Sequence, residues 1–438
     1  IKVYLQKNDM NRNIFDLLVN WKNRQNRMPL IVNGARQVGK SYILQEFGKR
    51  EFDNYIIVNL ETDKALSEFF EDVITPIPII QYLESVHSQR IIPGKTLIIL
   101  DEIQACERAL TSLKYFCEQA PEYHIVAAGS LLGVALNRKR YSFPVGKVDE
   151  LSMFPMDFEE FLWALNRENI ANQIRENFNT NEPLRIHSTV LDIYNKYLIV
   201  GGMPAAVNEF IKTGSFVPVA DIQNRILNEY IADMAKYADS STSIKIRACY
   251  ESIPAQLAKE NHKFQYNIVQ NGGSTTIFGE SIEWLKFAGV ILKCQKTNKG
   301  EMPIKVYIDL SDFKLYLSDI GMLTMQSGIA LQTILSPFET NSFLRALAEN
   351  YVAQAFTANS IPLIYWKSDN TAEVDFLIQQ GIDVVPVEVK SGIRIRSKSL
   401  VLFMEKYKCK YGIRLSKKNF GFDNNIKSVP LYAAFCIE

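Results

Sequence analysis

The apolar positions of this chain fall into two regimes. Up to about Met156, short unbroken apolar runs alternate with stretches of helical period. The runs predict strands at Leu30–Asn33, Tyr55–Leu60, Leu97–Leu100, His124–Ala128 and Val148–Met153. Continuous aliphatic runs suit strands of a parallel sheet, which are covered on both faces. Ile14 to Trp21 repeats at helical spacing and predicts a leading helix, and Ser41 to Phe47 predicts another. Strand–helix alternation of this kind implies a parallel sheet with helices on both faces.

Beyond that point the pattern changes. Asp157 with Glu160 three residues on, before Phe161 and Leu162, predicts a capped helix start. Arg167 to Glu182 is polar and Asn-rich and is expected to be a loop or a frayed helix. Val190, Leu191, Tyr194, Tyr197 and Leu198 form a helical stripe closed by Gly201-Gly202, with Pro204 beyond. Two helices are expected at about 248–260 and 274–287. A hairpin follows, with strands at Val290–Cys294 and Ile304–Ile308 and a turn at Asn298-Lys299-Gly300. Helix–helix–hairpin is the winged-helix plan, whose second helix can read a DNA groove. Here that helix carries Glu280, Glu283 and Lys286, so a coupling role stands beside a DNA-reading one. From about Phe338, an amphipathic helix (Phe343 to Phe356) precedes two strands, 372–378 and 384–390, joined at Gln380-Gly381.

Composition narrows the class. The chain has 438 residues, of which 47% are hydrophobic and 22% charged. This is ordinary globular usage and enough for roughly three domains. A net charge of +1 gives no global field toward nucleic acid or membrane. Six scattered cysteines without a C-x-x-C pair argue for reduced thiols in a cytoplasmic setting and against zinc. No apolar run approaches the roughly 18 residues of a membrane span. The polar N-terminus (Gln6, Lys7, Asn8, Asp9) is expected to carry no signal peptide.

The chemistry concentrates in two places. Gly34, Ala35, Arg36, Gln37, Val38, Gly39, Lys40 and Ser41 fit G-x-x-x-x-G-K-[ST] between a strand and a helix, with Tyr42 next on that helix. Glycines let amides turn toward phosphate oxygens, and the helix N-terminus adds positive potential. Lys40 is expected on the β- and γ-phosphates and Ser41 on Mg²⁺. Thr96 to Glu102 is a second aliphatic strand, which delivers Asp101 to the metal and Glu102 to the attacking water. Ser130, after the run from His124, either senses the γ-phosphate or closes a Gly-Ser turn.

The segments GARQVGKS, LIILDEIQ, VAAGS and ELSMFPMDFEEFL resemble those of a family of bacterial and archaeal AAA+-type ATPases, and the resemblance covers nearly the whole chain. In that family the ATPase domain precedes a C-terminal domain of unknown function. The resemblance implies ATP and Mg²⁺ as cofactors and a homo-oligomer as a possible assembly. It places Lys40, Ser41, Asp101, Glu102 and Ser130 at the Walker A, Walker B and sensor positions. The family's usual Gly-Arg is here Gly146-Lys147. Lysine keeps the charge and loses the planar fork, which puts a finger role at that position in doubt. The helices before residue 240 resemble an AAA+ lid, with Arg225 as a candidate nucleotide contact.

Glu349, Asp375, Glu388 and Lys390 form the second place. Glu, Asp and Glu-x-Lys resemble the core of PD-(D/E)xK nucleases. On that resemblance Glu349, Asp375 and Glu388 would hold Mg²⁺, and Lys390 would assist the attacking water. A decayed site that keeps the fold is the alternative. Between Val387 and Lys418 there are ten Lys or Arg and two acids, which suits a phosphate backbone.

The expected organisation is an α/β P-loop ATPase domain over 1–160 and a helical lid over 161–240. A winged-helix module over 241–335 and a restriction-endonuclease-like domain over 336–438 follow. Two functions stand open: an ATP-driven protein acting on DNA, or an ATPase switch that binds a protein partner. An adenylate-type kinase is the weaker third, because no acceptor-binding motif is visible.

Overall fold

The computed structural model describes residues 11–130, 143–236, 238–260, 262–336, 341–368, 372–392 and 397–438. They form two compact units. One comprises Asn11–Phe154 with Phe287–Gly289, and the other Pro155–Lys286 and Val290–Glu438. The segments expected to be lid, winged helix and C-terminal domain therefore share one unit.

The first unit is built on five parallel strands: β1 (Leu30–Asn33), β2 (Asn54–Asn59), β3 (Thr96–Asp101), β4 (His124–Gly129) and β5 (Asp149–Ser152). Their order is β2-β3-β4-β1-β5, with Leu30 opposite Val126 on one side and Asp149 on the other. Every residue of β3 and β4 is buried, as their unbroken apolar runs anticipated. Helices Lys40–Glu51, Lys64–Asp72, Pro76–His87 and Glu107–Gln119 cover the sheet. Ile56, Val58, Ile98, Leu100 and Ile125 meet Leu66, Phe70, Ile79, Leu83, Leu110 and Phe116 in one core. Burying each such side chain stabilises the fold by about 1.5–3 kcal/mol. The core thus fixes the carboxyl ends of β1, β3 and β4, where the candidate site lies.

The second unit opens with helix Phe158–Ala164, which carries the expected capping box between Asp157 and Glu160. The polar stretch beyond it is a regular helix, Glu168–Thr180, rather than a loop. Ile170, Ala171 and Ile174 give it a narrow buried stripe. Arg175 fastens it with a two-pronged pair to Glu159, at 2.6 Å for each contact. Helices His187–Val200, Pro204–Thr213, Phe216–Lys236, Ser240–Leu257 and Thr275–Phe287 follow.

The hairpin differs from expectation. Its first strand is β6 (Ile291–Thr297). The apolar run expected to be the second strand is a 3₁₀ turn, Ile304–Tyr307, and the strand itself is β7 (Ile308–Leu317). Nor does the hairpin stand alone. On its other side β6 pairs in parallel with β8 (Ile364–Lys367), which pairs with β9 (Glu373–Val374). The sheet order is β7-β6-β8-β9. A third sheet contains β10 (Phe376–Gln380), β11 (Asp383–Val389), β12 (Gly412–Ser416), β13 (Gly421–Asp423) and β14 (Ile426–Pro430), in the order β10-β11-β12-β14-β13. Here the expected hairpin is present, with Phe376 opposite Val387.

Helix Phe343–Ala358 binds this unit together. It is buried continuously from Ala346 to Phe356. Asn350 exchanges two hydrogen bonds with the backbone of Leu317. Gln354 donates to the Tyr197 hydroxyl, which donates in turn to the Met156 carbonyl.

Candidate functional site

The loop between β1 and helix Lys40–Glu51 is held from beneath. The backbone turns left-handed at Gln37 (φ 68°) and Gly39 (φ 96°), a geometry that aims successive amides to one side. Gly34 is required by space: a Cβ there would lie 2.1 Å from the Met153 carbonyl oxygen, just past β5. Arg12 is 6% exposed and was not singled out from the sequence. Its guanidinium donates to the Val38 carbonyl (2.9 Å) and the Phe154 carbonyl (2.6 Å). A lone arginine before a helix gave no signal in the sequence, because its partners lie 26 and 142 residues away. Gly289 was also missed; a Cβ there would come 3.1 Å from the Ala35 nitrogen.

Lys40 begins the helix after the loop and is buried. Its ammonium donates to the carbonyls of Gly34 and Ala35, 2.8 Å each. Burial pushes its pKa down to about 8, against the opposing pull of Glu102 and Asp101. Ser41 is half-buried on the first turn, beside Tyr42, which is 44% exposed.

Asp101 ends β3 and is buried, and its Oδ1 accepts from the Glu102 amide at 3.1 Å. Glu102 adopts the left-handed conformation (φ 51°), uncommon for a residue with a Cβ. This turn sends its carboxylate toward β4. Glu102 Oε2 accepts from Gln104 Nε2 (2.5 Å) and from Ser130 Oγ (3.4 Å). Since β4 lies between β3 and β1 in the sheet, the sequence-predicted residues Lys40, Asp101, Glu102 and Ser130 gather at the carboxyl ends of its central strands. The donor set fits Mg²⁺: the Ser41 hydroxyl and the Asp101 carboxylate are hard oxygens.

Lys147 pairs with Glu118 of the same chain at 3.0 Å, on the surface. Arg225 is exposed on its helix. In helix Thr275–Phe287, Glu283 pairs with Lys286 (3.2 Å) and with Lys293 (3.0 Å).

The second group of residues is placed differently from expectation. Glu349 and Asp375 do come together, but around cations of the protein itself. Arg345 Nε lies 2.9 Å from Glu349 Oε1, and Arg345 Nη2 lies 3.3 Å from Asp375 Oδ1. Lys314, on β7, is fully buried, 2.7 Å from Glu373 Oε1 and 3.5 Å from Glu349 Oε2. Glu349 Oε2 also accepts from His262 Nδ1 (2.7 Å) and the Tyr316 hydroxyl (3.2 Å). Burial alone would raise the pKa of Glu349, but Lys314, His262 and Arg345 outweigh it and hold the carboxyl well below its usual range. Asp375 is pushed up to about 6 by burial and by the charge of Glu349. Its Oδ2 accepts from the Val389 amide at 2.7 Å. Glu388 pairs with Lys390 at 3.1 Å, as their shared strand face anticipated. Among the described residues, no group of three or more His, Cys, Asp or Glu is placed to hold a metal ion. Glu349, Asp375 and Glu388 are therefore not gathered into one three-ligand group.

In the basic stretch, Lys398, Lys406, Lys408 and Lys410 are exposed, while Arg394 and Arg396 lie outside the described residues, as do Gln6 to Asp9. All six cysteines are free. Among the described residues no helix is long and apolar enough to cross a membrane.

Residues 26–162 match the family model of an AAA domain. Residues 191–333 and 345–434 match two domains of unknown function. No curated protein matches the chain. Solved structures that resemble it include the Walker-type ATPase PABY2304 of Pyrococcus abyssi. That structure is 14% identical, with 72% of this chain and 95% of that one covered and a TM-score of 0.46. The Aeropyrum pernix ORC2 protein, in ADPNP–ADP complexes, is 12% identical over 78% and 94% of the two chains, with a TM-score of 0.40. The Aeropyrum pernix ORC1 protein in complex with DNA is 12% identical over 72% and 90%, with a TM-score of 0.31. Sheet, loop and family match agree on an AAA-type P-loop domain in residues 26–162.

Proposed function

We propose that this domain binds ATP with Mg²⁺ and hydrolyses it. The observation that carries the reading is the meeting of Glu102 and Ser130, from the ends of neighbouring strands, at the carboxyl end of the sheet, where Lys40 also lies. The amides of Gly34 to Ser41 orient the phosphates. Lys40 exchanges the carbonyls of Gly34 and Ala35 for β- and γ-phosphate oxygens. Ser41 and Asp101 would hold Mg²⁺, which neutralises charge on the phosphates when bound. Glu102 orients the attacking water and draws on its proton, and Ser130 responds to the γ-phosphate through the carboxylate they share. Phosphate release with Mg²⁺ and ATP tests this. Loss of turnover in Lys40→Ala and in Glu102→Gln is expected; turnover at the wild-type rate in either variant would refute the assignment.

For the remaining unit, the exposed Lys398, Lys406, Lys408 and Lys410 favour binding of a nucleic-acid backbone without cleavage. A DNA affinity that falls steeply with salt, together with uncut DNA, is expected. Salt-independent or absent binding would shift this unit to a protein partner in an ATPase switch.

A further inference from the structure

We infer that the ammonium of Lys314 takes the cation position among the carboxylates of Glu349, Glu373 and Asp375, so that this unit is held together by an internal cation and not by a bound metal ion. The carboxylates of Glu349, Glu373 and Asp375 come from a helix, from β9 and from the β9–β10 junction. Lys314 enters from β7, a strand outside the Glu, Asp, Glu-x-Lys set, and is 0% exposed. Its Nζ touches Glu373 and Glu349, and it lies 4.8 Å from the centroid of the Tyr365 ring. A buried ammonium survives only with such compensation.

The acceptor side is equally full. Glu349 accepts from Arg345, His262 and Tyr316 and faces Lys314, which uses up most of its lone-pair directions. A divalent cation binding these oxygens directly would sit against both the buried Lys314 and the half-buried Arg345, a like-charge contact. Burial would lower the pKa of Lys314, but Glu349, Glu373 and Asp375 override that and keep it charged. The substitution has a consequence for chemistry. With its cation fixed on a side chain, the cage has no exchangeable Lewis acid to place on a phosphodiester.

The test uses the full chain without nucleotide, which separates it from the ATPase reading. Thermal unfolding is followed in EDTA and in millimolar Mn²⁺ for wild type, Lys314→Ala and Lys314→Ala/Glu349→Gln. Wild type is expected to show no Mn²⁺-dependent rise in Tm beyond that of Asp375→Ala. Lys314→Ala is expected to melt several degrees lower in EDTA and to regain part of that loss in Mn²⁺. The double variant should lose the Mn²⁺ response. A wild-type Mn²⁺ stabilisation abolished by Asp375→Ala would overturn the inference, because a metal would then coexist with Lys314. So would a folded Lys314→Ala that melts like wild type or ignores Mn²⁺. If Lys314→Ala does not fold in EDTA, refolding in Mn²⁺ replaces the melt as the readout, and failure to fold in both overturns the inference.

Discussion

The burial of Lys40 sets a pH dependence for nucleotide affinity. In the free protein its pKa is pushed down to about 8. Next to the β- and γ-phosphates the ammonium form is held, so binding takes up a proton wherever free Lys40 is neutral. The sign is fixed by this: affinity is flat below about pH 8 and falls above it. With one titrating group, about half a proton is taken up per ATP at pH 8, and Kd rises about tenfold per pH unit well above that. From pH 7 to 9 the expected rise is roughly tenfold, or about 1.4 kcal/mol. Lys40→Arg removes the titration, because guanidinium stays charged throughout, and its profile should be flat even if its affinity is lower. Isothermal calorimetry in buffers of different ionisation heat measures both Kd and proton uptake. A wild-type Kd that is constant from pH 7 to 9.5, with no uptake at pH 8, would refute the reasoning. A Lys40→Arg profile as steep as wild type would do the same.

Further expectations arise from other parts of the structure. Glu102→Gln should retain ATP affinity in equilibrium binding while turnover drops by about 10²–10⁴, the usual contribution of a group that handles the proton of the nucleophile. Gly202→Ala should be severely destabilising, since its Cβ would fall 1.9 Å from the Met156 carbonyl oxygen; a urea midpoint within error of wild type would exclude that crowding. Asp319 is pushed up to about 6 by burial, despite accepting from the amides of Gly202 and Met322. A carboxyl raised in the fold stabilises at low pH and loses that contribution as pH rises through about 6. The loss is worth about 3 kcal/mol for a shift of roughly two units. In Asp319→Asn the part of the stability decline between about pH 4 and 6 that belongs to this group should vanish from urea titrations, and an unchanged slope would exclude the group as its source.

How much was legible in the sequence depended on the range of the interactions. The strands of the first unit were readable because a parallel strand covered on both faces writes its whole environment into consecutive residues, as in Leu97 to Leu100. The loop and Asp101-Glu102 were readable for a related reason: both come directly after such strands. Helix Glu168–Thr180 was hidden because only three residues make its buried stripe, and most of the rest is Asn, Gln, Arg and Glu. β7 was mislaid because Ile304 to Ile308 is the more apolar run, while the true strand carries Asp309, Asp312 and Lys314. Those charges find partners from distant segments: Tyr365 donates to Asp312, and Lys314 pairs with Glu373, 59 residues on. Glu349 sits on the buried stretch of its helix, where a carboxylate needs a partner. Its actual partner His262, 87 residues back, could not be assigned from local pattern.

The parallel pairing of β6 with β8 bears on how this protein can be divided. By pattern alone, residue 335 marks the close of one module and the start of the next. Yet Gln295, Lys296 and Thr297 take their neighbours from Ile364, Tyr365 and Trp366. A fragment that stops at 335 would strip β6 of one side of its ladder and leave a bare strand edge, a template for intermolecular pairing. It would also remove the carboxylates of Glu349 and Glu373 from the charge on Lys314. The segments on either side of residue 335 are therefore expected to fold and to be expressed only together.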